Sequence, residues 1–248
     1  MSNNNHLSGK EVRAIAKANK KIIKKLEAYK NRKAPESEYL TEMKDASNIL
    51  EIDDLHTYFF TEQGVVKAVN GVSFNIPKHA TVGVVGESGC GKSVTSMSVM
   101  RLVQGPAGQI YSGSIRFNAK EADGTEKVYD IAKMPMRDIH KIRGNQIAMI
   151  FQEPMTSLNP VFTIGQQLDE VTFINNPKAT KEMAKARSIE MLNLVGIAIP
   201  ERVYDSFPHE LSGGMRQRVM IAIALACTPE LIIADEPTTA LDVTIQAQ

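Results

Sequence analysis

The sequence predicts an α/β fold built on a largely parallel sheet. Three features carry that expectation. Short β-branched runs alternate with segments of helical period. One run, residues 80–85, leads into a glycine loop and then a helix. A later run, residues 231–234, ends in two carboxylates. At 248 residues, 43% apolar and 23% charged, the chain is long enough to bury a core and has the composition of a globular protein.

Residues 1–47 read as a basic N-terminal helical extension and linker. From Lys10 to Lys33 only Glu11 and Glu27 oppose the lysines and arginines, and Val12, Ile15, Ile22, Leu26 and Tyr29 fall at three- and four-residue spacings. That pattern predicts one apolar stripe on a basic helix, ended by Ala34-Pro35-Glu36-Ser37. A solvated helix packed loosely on its own domain, or a disordered arm, is favoured over a helix docked on an anionic membrane or a partner, because the stripe is narrow.

The remaining elements fall within residues 48–248. Leu50-Glu51-Ile52-Asp53 alternates as a half-buried strand does, and residues 65–74 read as a second strand with a turn near Asn70-Gly71. Residues 80–85 read as a third strand and 94–103 as the helix after it. Residues 147–151 read as a buried strand. Residues 178–195 read as an amphipathic helix with Met183, Ala186, Ile189 and Leu192 on one face. Residues 211–226 form another helix and 231–234 another buried strand.

Several classes are excluded. The longest nearly apolar stretch of the second half, residues 219–227, is too short to cross a bilayer, and the N-terminus lacks the apolar core of a signal peptide. Cys90 and Cys227 are too few for a disulfide framework, and no internal repeat is visible. The net charge of +1 points to neither nucleic acid nor membrane for the chain as a whole, and no nucleic-acid partner is expected.

The segment Gly86-Glu87-Ser88-Gly89-Cys90-Gly91-Lys92-Ser93 has the spacing of a phosphate-binding loop, with a β-branched run before it and a helix from Val94 after it. The residue types suit Mg-ATP. Glycines let successive N–H groups converge on one anion, and the helix adds its positive end. Lys92 supplies a point charge for the β- and γ-phosphates, and the Ser93 hydroxyl is a hard ligand for Mg²⁺. Cys90 is either a small filler or a thiol activated by the positive field of the loop. With ATP as ligand and no signal peptide, the cytosol is the default compartment.

Asp235 and Glu236 end an apolar run, where a doubly wound sheet binds its ligands. Asp235 is placed to hold Mg²⁺ through water, and Glu236 to act as general base or to position the attacking water. By itself a strand ending in acids is a weak signal; about 140 residues after a phosphate loop it becomes a strong one. Ser212, Gly213 and Gly214 open a second helix. They suit either a capped helix or a second anion site, which would serve a nucleotide held by another copy. Gln152 stands at a strand end before Pro154.

Together these segments resemble the ATP-binding subunits of ABC transporters, over about residues 49–248. Leu211-Ser212-Gly213-Gly214-Met215-Arg216-Gln217 resembles the signature sequence of that family. Gln152 resembles its Q-loop glutamine, a metal and water contact, and Thr239-Ala240-Leu241-Asp242 its D-loop. The resemblance implies a P-loop ABC-type nucleotide-binding domain, with an antiparallel β edge and a helical subdomain at about residues 155–225. It also implies a head-to-tail dimer, homo- or heteromeric. In that dimer Ser212, Gly213 and Gly214 of one copy close the phosphate loop of the other, and Asp242 lies at the interface. An aromatic ring stacks on adenine in this family. Phe59 is the first choice and Tyr58 the second, though a core-facing ring fits the position as well.

Phe151-Gln152-Glu153-Pro154-Met155-Thr156-Ser157-Leu158-Asn159-Pro160 and His209-Glu210-Leu211-Ser212-Gly213-Gly214-Met215 narrow the resemblance. They match the oligopeptide, dipeptide and nickel importer subgroup, most of all its D-type ATPase subunit. The resemblance implies two membrane-spanning permease subunits, an extracytoplasmic solute-binding protein reached indirectly, and a peripheral place on the cytoplasmic face of the membrane. Met155 to Pro160 is the candidate coupling surface, or simply a rigid turn set by its prolines. The family also carries a histidine and further strands beyond the point where this sequence stops, so a truncated frame is expected, and with it binding more than turnover. A nickel importer subunit, a module that binds without turnover and a soluble non-transport ABC ATPase are the alternatives.

Overall fold

The computed structural model describes residues 8–121, 123–152 and 157–237. The chain forms two compact units, residues 1–140 and 141–248.

The first unit opens with helix α1, Gly9–Lys30. A capping box starts it: the Ser8 hydroxyl accepts from the Glu11 N–H while the Glu11 carboxylate accepts from the Ser8 N–H. Val12, Ile15, Ile23 and Leu26 are half-buried, and Asn19 is buried. The Asn19 Nδ2 donates to the carbonyls of Thr61 at 2.7 Å and Gly64 at 3.3 Å, which fastens α1 to a hairpin turn of its own unit. The apolar stripe is therefore rotated from the expected one. Ile22 and Tyr29 are 36% and 45% exposed. Satisfying the Asn19 amide turns Ile23 inward in place of Ile22, and Tyr29 lies under the Arg32 guanidinium, 3.7 Å from its ring centre.

Five antiparallel strands follow: β1 (Leu40–Thr41), β2 (Asn48–Thr61), β3 (Gly64–Pro77), β4 (Gly108–Lys120) and β5 (Glu126–Asp130), in the order β1-β5-β4-β2-β3. Leu50, Ile52 and Leu55 of β2 and Ile115 and Phe117 of β4 form the buried centre of the sheet. The turn expected near Asn70-Gly71 is absent, and β3 runs straight through. His56 pairs with Asn70 and Leu55 with Val72, so Gly71, at φ +80°, is the extra residue of a bulge.

Residues 80–85 are not the expected strand. They carry no regular secondary structure and join no ladder among the described residues, and Val85 is 93% exposed. A β-branched run becomes a strand only where a neighbour takes its N–H and C=O groups, and β3 has already ended at Pro77.

The second unit pairs β6 (Ile147–Ile150) with β7 (Leu231–Ala234) in parallel, Ile147 opposite Leu231 and Ile150 opposite Ala234. They are accompanied by helices α3 (Ile164–Asn175), α4 (Lys181–Leu194), α5 (Pro200–Asp205) and α6 (Gly213–Ala226). Ile164, Leu168, Leu192 and Val219 meet in one core, while Met220 and Ala224 of α6 cover Ala148 and Ile150 of β6. The α/β class holds, with the parallel pairing carried by β6 and β7.

Two burial expectations change here. On α4 the covered positions are Ala184, Ser188, Met191 and Leu192, while Met183 and Ala186 face solvent. The Ser188 hydroxyl donates to Asp169 at 2.6 Å, and that bond turns a polar residue inward. Strand β6 is buried throughout, but β7 covers only alternate side chains, leaving Ile232 exposed. Its one ladder neighbour among the described residues is β6.

Candidate functional site

The phosphate loop lies in the first unit, ahead of helix α2 (Lys92–Val99). Gly91 caps that helix at φ +99°, and a Cβ there would collide with the Ala68 carbonyl of β3. Both the left-handed backbone and the close approach demand glycine. Gly89 is also left-handed, at φ +79°. The loop curls around its own lysine: Lys92 Nζ donates to the carbonyls of Gly86 at 2.7 Å and Glu87 at 2.9 Å. The Cys90 N–H donates back to Glu87 at 3.3 Å, and Gly86 approaches the Cys90 thiol so closely that a Cβ would stand 2.8 Å from Sγ.

The loop from Gly86 through Ser88, Gly89 and Cys90 is exposed, and Ser93 and Val94 are half-buried in the first turn of α2. The N–H groups of a first helical turn have no intrahelical acceptor, and the positive end of the helix dipole lies there too. Such N–H groups, with a lysine at the start of the same helix, have the chemistry that an anion site needs.

Helix α2 is held rigidly on its sheet. Ser98 and Thr57 are wholly buried and share a 2.8 Å hydrogen bond, and the Ser98 hydroxyl also reaches the Val94 carbonyl at 2.7 Å. Just beyond α2, Arg101 Nη1 donates to the carbonyls of Ile131, Ala132 and Met134. Sequence reading missed these supports, because a serine in a helix and a threonine in a strand read as surface residues.

In the second unit the parallel register brings the carboxyl ends of β6 and β7 together. The Asp235 N–H donates to the Ile150 carbonyl at 2.9 Å, carrying the ladder one residue past β7. Gln152 Nε2 then donates to Glu236 Oε2 at 2.8 Å. Glu236 is held at φ +47°, a left-handed conformation that a non-glycine residue adopts at a cost. With the nitrogen of Gln152 committed to Glu236, its amide oxygen is the atom able to ligate a cation.

Ser212 caps α6, its hydroxyl accepting from the Met215 N–H at 3.3 Å. It is exposed, and a Cβ at Gly213 would meet nothing within 4 Å, so backbone N–H groups stand open at this helix start. Phe59 is half-buried and lies against Gly108, while Tyr58 is buried and stacks on Tyr111 with ring centres 5.0 Å apart. Asp242 and the D-loop resemblance around it lie outside the described residues, as do Met155 and Thr156 of the expected coupling surface.

Residues 69–239 match the family model described as ABC transporter. The chain is 54% identical to the oligopeptide transport ATP-binding protein AppD of Bacillus subtilis over 82% of its own length and 58% of that protein's. It is 48% identical to the dipeptide transport ATP-binding protein DppD of the same organism, over 81% of the chain and 57% of the relative. It thus spans somewhat over half the length of the curated relatives it matches. Among solved structures, the dimeric post-hydrolysis ATP-binding cassette MJ0796 bound to ADP and Pi superposes with a TM-score of 0.66 at 26% identity, over 80% of this chain and 78% of that one. The curled lysine loop, the paired strand ends and these likenesses have one reading: the chain belongs to the ABC transporter family.

Proposed function

We propose that this chain is the ATP-binding and hydrolysing part of a subunit that energises an importer of oligopeptides or dipeptides. The contact between Gln152 and Glu236 carries the reading. It sets a neutral amide donor on a carboxylate at the carboxyl ends of two parallel strands, where such sheets bind ligands. A carboxylate oriented there suits a general base for the water that attacks a γ-phosphate. The names of the relatives, oligopeptide and dipeptide transport ATP-binding proteins, support the substrate class.

In this reading Gly86, Glu87, Ser88, Gly89, Cys90, Gly91 and Val94 surround the phosphates with backbone, Lys92 neutralises them and Phe59 stacks on the base. Mg²⁺ takes hard oxygen ligands, with no more than one or two carboxylates among them, beside phosphate oxygens and water. The hydroxyl of Ser93, the carboxylate of Asp235 and the amide oxygen of Gln152 fit that preference. When bound, the ion supplies charge neutralisation at the phosphates. Ser212, Gly213 and Gly214 of a second copy close the site, Asp242 lies at that contact, and two permease subunits hold the dimer at the cytoplasmic face.

Binding of a fluorescent ATP analogue with Mg²⁺ tests the first part. Lys92→Ala should weaken it by about 100-fold or more, since a charge-assisted contact to phosphate is lost. Unchanged affinity refutes the site. Co-purification with membrane-spanning partners tests the second part.

A further inference from the structure

Helix α1 presents a face that the ATP site does not use. Its 22 residues carry eight cations against two carboxylates, in a chain whose net charge is +1. Both carboxylates are committed at the ends of the helix. Glu11 accepts from Ser8, and Glu27 accepts from Gln109 at 2.6 Å and lies 3.6 Å from Lys30. Between them lies no acid. Lys10, Arg13, Lys17, Lys20, Lys21, Lys24 and Lys25 are all exposed. At 100° per residue they fall within an arc of about 140°, along about 22 Å of helix. The opposite face is already spent on the sheet through Val12, Ile15, Asn19, Ile23 and Leu26.

We propose that the outer face of α1 adsorbs to an anionic phospholipid surface, by charge alone and without insertion. An inserting amphipathic helix needs a continuous apolar face, and the only large apolar side chains exposed on α1 are Ile22 and Tyr29, the latter lying under Arg32. Seven cations spread over two Debye lengths act together on a headgroup plane. The outer arc suits lipid better than nucleic acid. Within that arc the exposed residues are those seven cations with Ala14 and Ala28, and it carries no aromatic ring for base stacking and no amide for base edges. Six of the seven are lysines, point charges suited to a diffuse surface. The chain belongs to a transporter family, yet among the described residues no helix is long and apolar enough to cross a membrane. A surface contact is what α1 can contribute. The proposal stands apart from the ATP-site reading, because it needs neither nucleotide nor permease.

Flotation of the full chain with lipid vesicles tests it. Vesicles with about 30% phosphatidylserine should carry the protein at about 0.1 M salt and release it at about 0.5 M, and phosphatidylcholine vesicles should not carry it. Replacing Lys17, Lys20, Lys21 and Lys24 with glutamine, a comparable helix former, should lower the partition coefficient about 100-fold or more while the denaturation midpoint holds. Replacing exposed Lys178, Lys181 and Lys185 of the second unit with glutamine should leave partitioning unchanged. Equal binding to neutral vesicles, equal loss in both variants, or displacement from vesicles by single-stranded RNA at equal phosphate concentration would each overturn the proposal.

Discussion

Gln152 donates its amide hydrogen to Glu236 across 2.8 Å, linking the second residue after β6 to the second residue after β7. The bond orients the carboxylate at the strand ends. Glu236→Gln should therefore keep Mg-ATP binding within about threefold and lower phosphate release by at least about 100-fold. Gln152→Ala should lower release less, since it removes orientation and leaves the base. Phosphate-release kinetics of the chain assembled with its partners measure both, and turnover equal to wild type in Glu236→Gln rejects the base.

Gly91→Ala should unfold the loop before it alters any chemistry. The substitution forces a Cβ into the left-handed region and onto the Ala68 carbonyl. A loss of at least about 2 kcal/mol is expected in urea denaturation. The companion Gly89→Ala meets no neighbour, so it should cost only the backbone penalty, about 1 kcal/mol. Equal midpoints for the two variants would show that the contact with β3 is loose.

Cys90 is exposed on the phosphate loop, whereas Cys227 is buried and burial pushes its thiol up. A maleimide should label Cys90 first, and Mg-ATP should slow that labelling by about tenfold as the phosphates fill the curl around it. Mass spectrometry of the labelled peptides separates the two cysteines. Labelling at Cys90 that ignores nucleotide would place the phosphates elsewhere.

Glu51 governs acid stability in the first unit. Its side chain is 1% exposed, yet it accepts from the N–H groups of Lys44 and Asp45 at 2.9 Å each and from Asn48 at 3.0 Å, with Arg116 3.6 Å away. Burial pushes its pKa up, but these donors together outweigh burial and hold it below the ordinary glutamate value of 4.5. A carboxylate depressed on folding contributes stability that is present above the unfolded value and lost as pH falls through the folded one. Glu51→Gln should cost about 2–4 kcal/mol at pH 7. The gap between variant and wild type should close progressively below pH 4.5. A gap independent of pH would mean that shape, not charge, holds this corner.

What was legible in the sequence was chemistry with fixed spacing. Gly91, Lys92 and Ser93 declare themselves because few residue types allow a backbone to wrap an anion, and Ser212 because a helix start needs an acceptor. The sequence gives Gln152 and Glu236 separate roles, but their contact depends on the register of β6 against β7, which no local pattern encodes. Residues 80–85 have the composition of a strand, but strand formation also needs a neighbour. On α1 the stripe was placed by apolarity, yet one asparagine amide set the rotation, because satisfying a buried amide outweighs covering one more isoleucine.

The left-handed backbone at Glu236 sets two requirements against each other. The conformation suits glycine or asparagine, while the position on the β7 end asks for a carboxylate. A selection for thermal tolerance alone should drift this residue toward asparagine or glycine, and the winners would be sturdier and inert. Retention of glutamate under such a selection would mark the position as one where activity had been tested by the cell all along.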